Sequence, residues 1–205
     1  MSKYKSRFNE QYQDRVGHFP KYQFLTNNSI ELAEFLNETG VIKDGMTIFE
    51  IGAAGCRNLK YIHDLNNNIN LFANDLYESA SKKNMHESIS GKINFIEMDT
   101  LSMFESDMSS ILSDNKIDLL ISSDHLMHID KLSVISILNH INTKWKPKYI
   151  CLRELLSKSG EEIDRVWPRV YHEYDKLLSK NYKLISKGDC SNRPEWYELL
   201  LYKRI

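Results

Sequence analysis

Between Phe49 and Asn58 the chain reads Phe-Glu-Ile-Gly-Ala-Ala-Gly-Cys-Arg-Asn. Gly52, Ala53, Ala54 and Gly55 carry no side chain or only a methyl group. Such a run lets a ligand approach the backbone closely. Where the run leads into a helix, the first free N–H groups also favour negative charge. Two carboxylates follow at comparable points of the chain. Asp75 lies 23 residues after Gly52, and Asp99 closes the next apolar segment, Ile93–Met98. A carboxylate can accept from a pair of hydroxyls or from an amine. Further on, Ser122-Ser-Asp-His-Leu-Met-His128 gathers hydroxyls, a carboxylate and two imidazoles. Histidine titrates near neutrality and so suits proton transfer. His125 is the first choice for a general base and His128 the second, with Asp124 placed either to orient His125 or to bind acceptor hydroxyls. Arg153, Glu154, Tyr171 and His172 are candidates for contact with a second ligand. Each of these residues also has an ordinary structural use, as a cap, a turn residue or a core side chain.

These residues need elements to bring them together. Strand patterns run over 46–51, 70–75, 93–98, 117–122, 149–152, 182–186 and 196–202. The nearly all-apolar Ile117–Ser122 reads as a buried central strand. Helix patterns occupy 58–65, 78–88 and 103–112. An earlier helix is expected to start at Asn28, with Glu31 completing a capping-box-like pair, and to stop at Gly40. Another is capped by Asp130 and carries Leu132, Ile135, Leu138 and Ile141 on one side. Pro168 suits the first turn of a helix through Leu178. Alternation of strand and helix predicts an α/β, Rossmann-like, doubly wound sheet. It should be mostly parallel, with seven strands, helices on both faces and the last strand antiparallel, because no crossover helix separates the final pair. Open sheets of this kind bind ligands at the carboxyl ends of their strands. Gly52, Asp75 and Asp99 would then share one crevice.

The motif Glu50-Ile-Gly-Ala-Ala-Gly-Cys-Arg-Asn58 resembles the first motif of class I S-adenosylmethionine (SAM) methyltransferases, in which an acidic residue precedes alternate glycines. Ala54 and Cys56 stand where glycines are usual, and Gly55 falls between them. The resemblance covers roughly residues 45–155. It implies SAM as cofactor, bound through Glu50, Gly52, Ala53, Ala54, Gly55 and Asn58. Asp75 and Leu76 would meet the ribose, and Asp99 and Thr100 the adenine. Ser122 and Ser123 would lie beside the methionine end. Asp118–Ile129 is similar to the segment after the fourth strand in small-molecule methyltransferases. Phe8–Arg15 resembles, more weakly, the opening helix of sugar-linked and type 11/12 enzymes. On this resemblance residues 1–205 form one methyltransferase domain, with a lid over 1–28 and an acceptor-side helical insert over 157–180. The expected acceptor is a small polar molecule, methylated at oxygen. Neither the Asp/Asn-Pro-Pro-Tyr/Phe motif of amino-methylating DNA enzymes nor a Pro-Cys nucleophile is present.

Composition narrows the field further. In 205 residues, 41% are hydrophobic and 27% charged, as in a globular chain of ordinary domain size. The net charge of −1 gives no basic footprint for nucleic acid. No apolar run approaches the roughly 20 residues of a bilayer span, and the polar start predicts a cytoplasmic protein. Three scattered cysteines, Cys56, Cys151 and Cys190, predict reduced thiols and no dedicated metal site. Two other readings compete. A nicotinamide-dependent oxidoreductase would also use Gly52, Gly55 and Asp75, but Arg57 occupies the third glycine of that fingerprint. A non-catalytic methyltransferase-like subunit would account for the substituted glycines.

Overall fold

The computed structural model describes residues 23–76, 85–107, 112, 116–155, 172–190 and 197–205. Seven strands form one sheet: β1 (Thr47–Ile51), β2 (Asn70–Asp75), β3 (Ile93–Glu97), β4 (Leu119–Ser123), β5 (Tyr149–Leu155), β6 (Tyr182–Asp189) and β7 (Tyr197–Arg204). Their order is β3-β2-β1-β4-β5-β7-β6. The pairs from β3 across to β5 are parallel, and β7 runs antiparallel between β5 and β6. The chain leaves β1 toward β2 on one side and enters β4 on the other. The sheet therefore has its switch point between β1 and β4, the place where open sheets of this kind bind ligands.

The described helices are α1 (Gln23–Glu38), α2 (Arg57–Leu65), α3 (Thr100–Glu105), α4 (Lys131–His140) and α5 (Tyr174–Leu178). Strand alternation divides the core in two. Ile48, Leu71, Leu119 and Cys151 point to the face covered by α1 and α2, where Leu32, Leu36, Leu59 and Ile62 are buried. Phe49, Phe72, Leu120 and Leu152 point to the opposite face, covered by α3, α4 and α5 through Phe104, Ile137 and Leu178. Trp145 fills that second face, 4.7 Å from the Phe104 ring and 5.7 Å from Phe49. β1 is buried at every position, as a strand covered on both faces must be.

The architecture matches the α/β expectation, including the antiparallel β7. Two local expectations fail. Helix α1 begins at Gln23, so Asn28 lies inside it and is not its cap; Gly40 does end it, at φ +62°. Helix α4 is capped by Asp130, which accepts from the N–H groups of Leu132 and Ser133. Its buried side, however, is Val134, Ile137, Leu138 and Ile141, while Leu132 is 79% and Ile135 39% exposed. Five apolar residues in seven positions fit two helical stripes, and only packing chooses between them.

The expected helix over 78–88 lies mostly outside the described residues; Glu87–Ile89 form a 3-10 turn. The expected lid over 1–28 and insert over 157–180 also lie largely outside them, as does Tyr171. Among the described residues no helix is long and apolar enough to cross a membrane, and no metal-ligating cluster occurs.

Candidate functional site

The chain leaves β1 through a turn with left-handed backbone at three alternate positions: Gly52 at φ +64°, Ala54 at +45° and Cys56 at +55°. Gly52 has a steric reason for being glycine. A Cβ there would lie 2.1 Å from Cγ and Nδ1 of His125. Ala54 and Cys56 hold the same hand despite their side chains, at roughly 1–2 kcal/mol each. These are the positions where the resembled motif has glycines, so the backbone path is kept although two glycines are not. Three contacts hold the turn. Ala53 N–H donates to the Asn74 carbonyl at 3.0 Å, and Cys56 N–H to the Ala53 carbonyl at 2.7 Å. The Ala54 N–H donates to Asp75 Oδ2 at 2.8 Å. The end of β2 is thereby tied to the turn after β1.

Three carboxylates surround this turn. Glu50 is buried in β1 and accepts from Asn58 Nδ2 at 2.5 Å. Burial pushes its pKa up to about 8, and Oε2 has no hydrogen-bond partner among the described residues. Asp75 accepts from Ala54 N–H and from the N–H of Leu76 at 2.6 Å. Its pKa is also raised by burial, against those two hydrogen bonds. Asp99 lies two residues past β3 and caps α3, accepting from the N–H and hydroxyl of Ser102. Asn74, not singled out from the sequence, binds the strands together beneath them. Its Nδ2 donates to the carbonyls of Ile96 and Met98 at 3.1 and 2.7 Å. A buried amide next to a candidate carboxylate was the signal available for it.

The segment after β4 is fastened by β5. Glu154 is buried, and its Oε1 accepts from Ser122 Oγ at 2.6 Å. The same carboxylate accepts from the N–H groups of His125, Leu126 and Met127 at 3.0–3.2 Å. It thus caps the 3-10 turn Leu126–His128. Burial pushes Glu154 up to about 7, with those donors pulling the other way. Arg153 is also buried and donates to Asp124 Oδ2 at 2.5 Å, with its guanidinium 5.1 Å from the Tyr197 ring centre. Asp124 has left-handed backbone at φ +55°, and its N–H donates to the Arg153 carbonyl. His172 is buried, bonds through Nε2 to the Leu126 carbonyl at 3.1 Å, and lies against Tyr174. Arg153, Glu154 and His172 therefore point inward and hold the loop; none of them stands on an open acceptor rim. Tyr197 and the Ser122–Glu154 contact were not foreseen.

Gly52, Ala53, Ala54, Gly55, Asp75, Leu76, Asp99 and Thr100 come together at the carboxyl ends of β1, β2 and β3. Ser123 ends β4 opposite Arg153. His125 joins this group, with Nε2 2.7 Å from Thr100 Oγ1. His128 is half-buried one turn further on, its N–H donating to the His125 carbonyl.

No family model matches the chain, and no curated protein does. Solved structures do. Magnesium protoporphyrin IX methyltransferase from Synechocystis PCC 6803, with bound S-adenosylhomocysteine, superposes with a TM-score of 0.70 at 15% identity, covering 98% of this chain and 97% of that one. The fold is that of SAM-dependent methyltransferases. The 1,6-didemethyltoxoflavin-N1-methyltransferase of Burkholderia thailandensis gives 0.69 at 15% identity, over 97% and 86%. An O-methyltransferase family protein of the same organism gives 0.66 at 14% identity; the match covers 94% of this chain but 62% of that longer one. At such identities the likeness speaks to the fold, and residue roles rest on the geometry above.

Proposed function

We propose that the chain is a SAM-dependent methyltransferase acting on a small polar acceptor, at oxygen. The observation that carries this reading is the joining of Asp75 to the Gly52–Gly55 turn at the switch point of the sheet. Ala54 N–H meets Asp75 Oδ2 at 2.8 Å, which draws a carboxylate and a small-residue backbone into one crevice. The donor set fits an adenosyl group. Each carboxylate oxygen of Asp75 accepts one N–H and keeps a further lone pair for a ribose hydroxyl. Asp99, at the head of α3, is the carboxylate proposed to meet the adenine amine. Glu50 is buried and accepts from Asn58, so it supports the turn from the protein side.

When bound, SAM supplies an activated methyl group on sulfur, and that chemistry belongs to the cofactor. The chain orients and excludes water. The Gly52 turn, Asp75 and Asp99 would hold the adenosyl end and Ser123 would lie beside the methionine end, whereas Ser122 is buried with its hydroxyl on Glu154. Glu154 and Arg153 fix the loop that carries His125. Correct placement of the acceptor accounts for several kcal/mol of barrier lowering. Burial lowers the His125 pKa to about 4, below the near-neutral value expected of a general base, so its neutral imidazole orients the acceptor's hydroxyl by accepting a hydrogen bond from it.

The antiparallel β7 between β5 and β6 favours this reading over a nicotinamide enzyme, whose sheet is parallel in the order 3-2-1-4-5-6. Calorimetry separates the two. S-adenosylhomocysteine should bind and NADH should not compete. Heat of binding with NADH and none with S-adenosylhomocysteine would reject the proposal.

A further inference from the structure

His125, Thr100 and Asn74 form a chain of hydrogen bonds whose direction is fixed from its inner end. Asn74 is fully buried, and both of its Nδ2 hydrogens go to the carbonyls of Ile96 and Met98. Its Oδ1 is therefore an acceptor. The buried Thr100 Oγ1 lies 3.1 Å away and donates its only hydrogen there. Toward His125, 2.7 Å away, the same hydroxyl can only accept. Nε2 of His125 must then carry the ring proton, and Nδ1 keeps its lone pair. Nδ1 sits over Gly52, beside the turn after β1; a Cβ on Gly52 would lie 2.1 Å from it. No bond to Nδ1 arises from the described residues.

We infer that Asn74 and Thr100 are positioning residues: they lock His125 as its Nε2–H tautomer and so present Nδ1 as a fixed hydrogen-bond acceptor at the crevice over Gly52. The ligand group that fits is a hydrogen-bond donor, such as the acceptor hydroxyl of the proposed reaction. A ligand offering only a lone pair there would face repulsion. The tautomer itself stands on the hydrogen-bond geometry; only its use with an acceptor hydroxyl rests on the methyltransferase reading.

The test is long-range proton–nitrogen NMR on ligand-free protein labelled with 15N-histidine, with His125 assigned by the loss of its signals in His125→Asn. In the wild type at neutral pH, Nδ1 should resonate as an unprotonated nitrogen and Nε2 as a protonated one. Thr100→Val, which keeps the shape and removes the acceptor, should bring the two nitrogens toward a tautomer average. Thr100→Ser, which keeps the hydroxyl, should restore the split. A protonated Nδ1 in the wild type, or an unchanged split in Thr100→Val, would overturn the inference. In turnover, Thr100→Val should lower kcat about 10-fold and Thr100→Ser should recover it, since the valine removes one neutral hydrogen bond that orients the ring. Absence of any turnover in the wild type would count against the methyltransferase reading and leave the NMR result to decide the tautomer.

Discussion

At Ala54 the backbone is left-handed without a glycine to permit it, at φ +45°. Ala54→Gly removes strain of about 1–2 kcal/mol and adds roughly 0.5–1 kcal/mol of unfolded-chain entropy. A net stabilisation of up to about 1.5 kcal/mol is expected, read as a higher urea midpoint with an unchanged slope. Gly52→Ala is the opposite case. The added Cβ meets the His125 ring at 2.1 Å, and the conformation is left-handed as well. A loss above about 2 kcal/mol is expected, together with displacement of His125. Equal effects for the two substitutions would show that steric contact with His125 is not what fixes Gly52. At Asp75, replacement by Ala removes a carboxylate proposed to take two hydroxyls. It should weaken S-adenosylhomocysteine roughly 10- to 100-fold, the worth of a hydrogen bond to a charged group. Unchanged affinity would move the ribose elsewhere.

At the scale of elements, β5 holds the loop after β4 in place. Glu154 answers one hydroxyl and three N–H groups from Ser122 to Met127. Glu154→Ala leaves those buried donors unpaired, and a loss of about 3–5 kcal/mol is expected in denaturant unfolding, with Glu154→Gln milder. If Glu154→Ala melts like the wild type, the loop is fastened by something else. The register of α4 is tested as simply. Ile137→Ala should cost about 2–5 kcal/mol and Leu132→Ala less than about 0.5 kcal/mol. These elements also show what a sequence reveals. The Gly52 turn, Asp75 and Asp99 were legible because strand ends and turn chemistry are local signals. The role of Glu154 was not, because its partner Ser122 lies 32 residues away and only folding makes them neighbours. The α4 stripe was misread because Leu132, Val134, Ile135, Ile137 and Leu138 satisfy the helical period on two sides. Asn28 had the chemistry of a cap, yet the helix continued through it to Gln23. The Asn74–Thr100–His125 chain joins three strand ends and has no sequence period at all.

At the scale of the molecule, buried titratable groups set the response to pH. Glu50 has its pKa raised to about 8 and Glu154 to about 7, against ordinary values of 4.5. The native state therefore binds more protons than the unfolded chain across that range, and stability falls as pH rises through it. His125 works in the other direction. Its pKa is lowered from 6.5 to about 4, so the unfolded chain binds the extra proton, and stability is lost as pH falls from 6.5 toward 4. Burial also lowers His63 and His172, which act with His125, and raises Asp75, which acts with the glutamates; the two sets oppose one another below pH 6.5, and the glutamates lead above it. Thermal melts should show stability declining between pH 6.5 and 8, and Glu50→Gln should flatten that decline. A wild-type melt that rises over this interval would contradict the burial assigned to the glutamates.

The central claim is that β1, β2 and β3 deliver the Gly52 turn, Asp75 and Asp99 to one adenosyl group. A crystal structure of the chain grown with S-adenosylhomocysteine tests it most directly. Both ribose hydroxyls should lie on the Asp75 carboxylate, with adenine beside Asp99 and Thr100. Density for the ligand away from the carboxyl end of β2, or a ribose that does not touch Asp75, would contradict it.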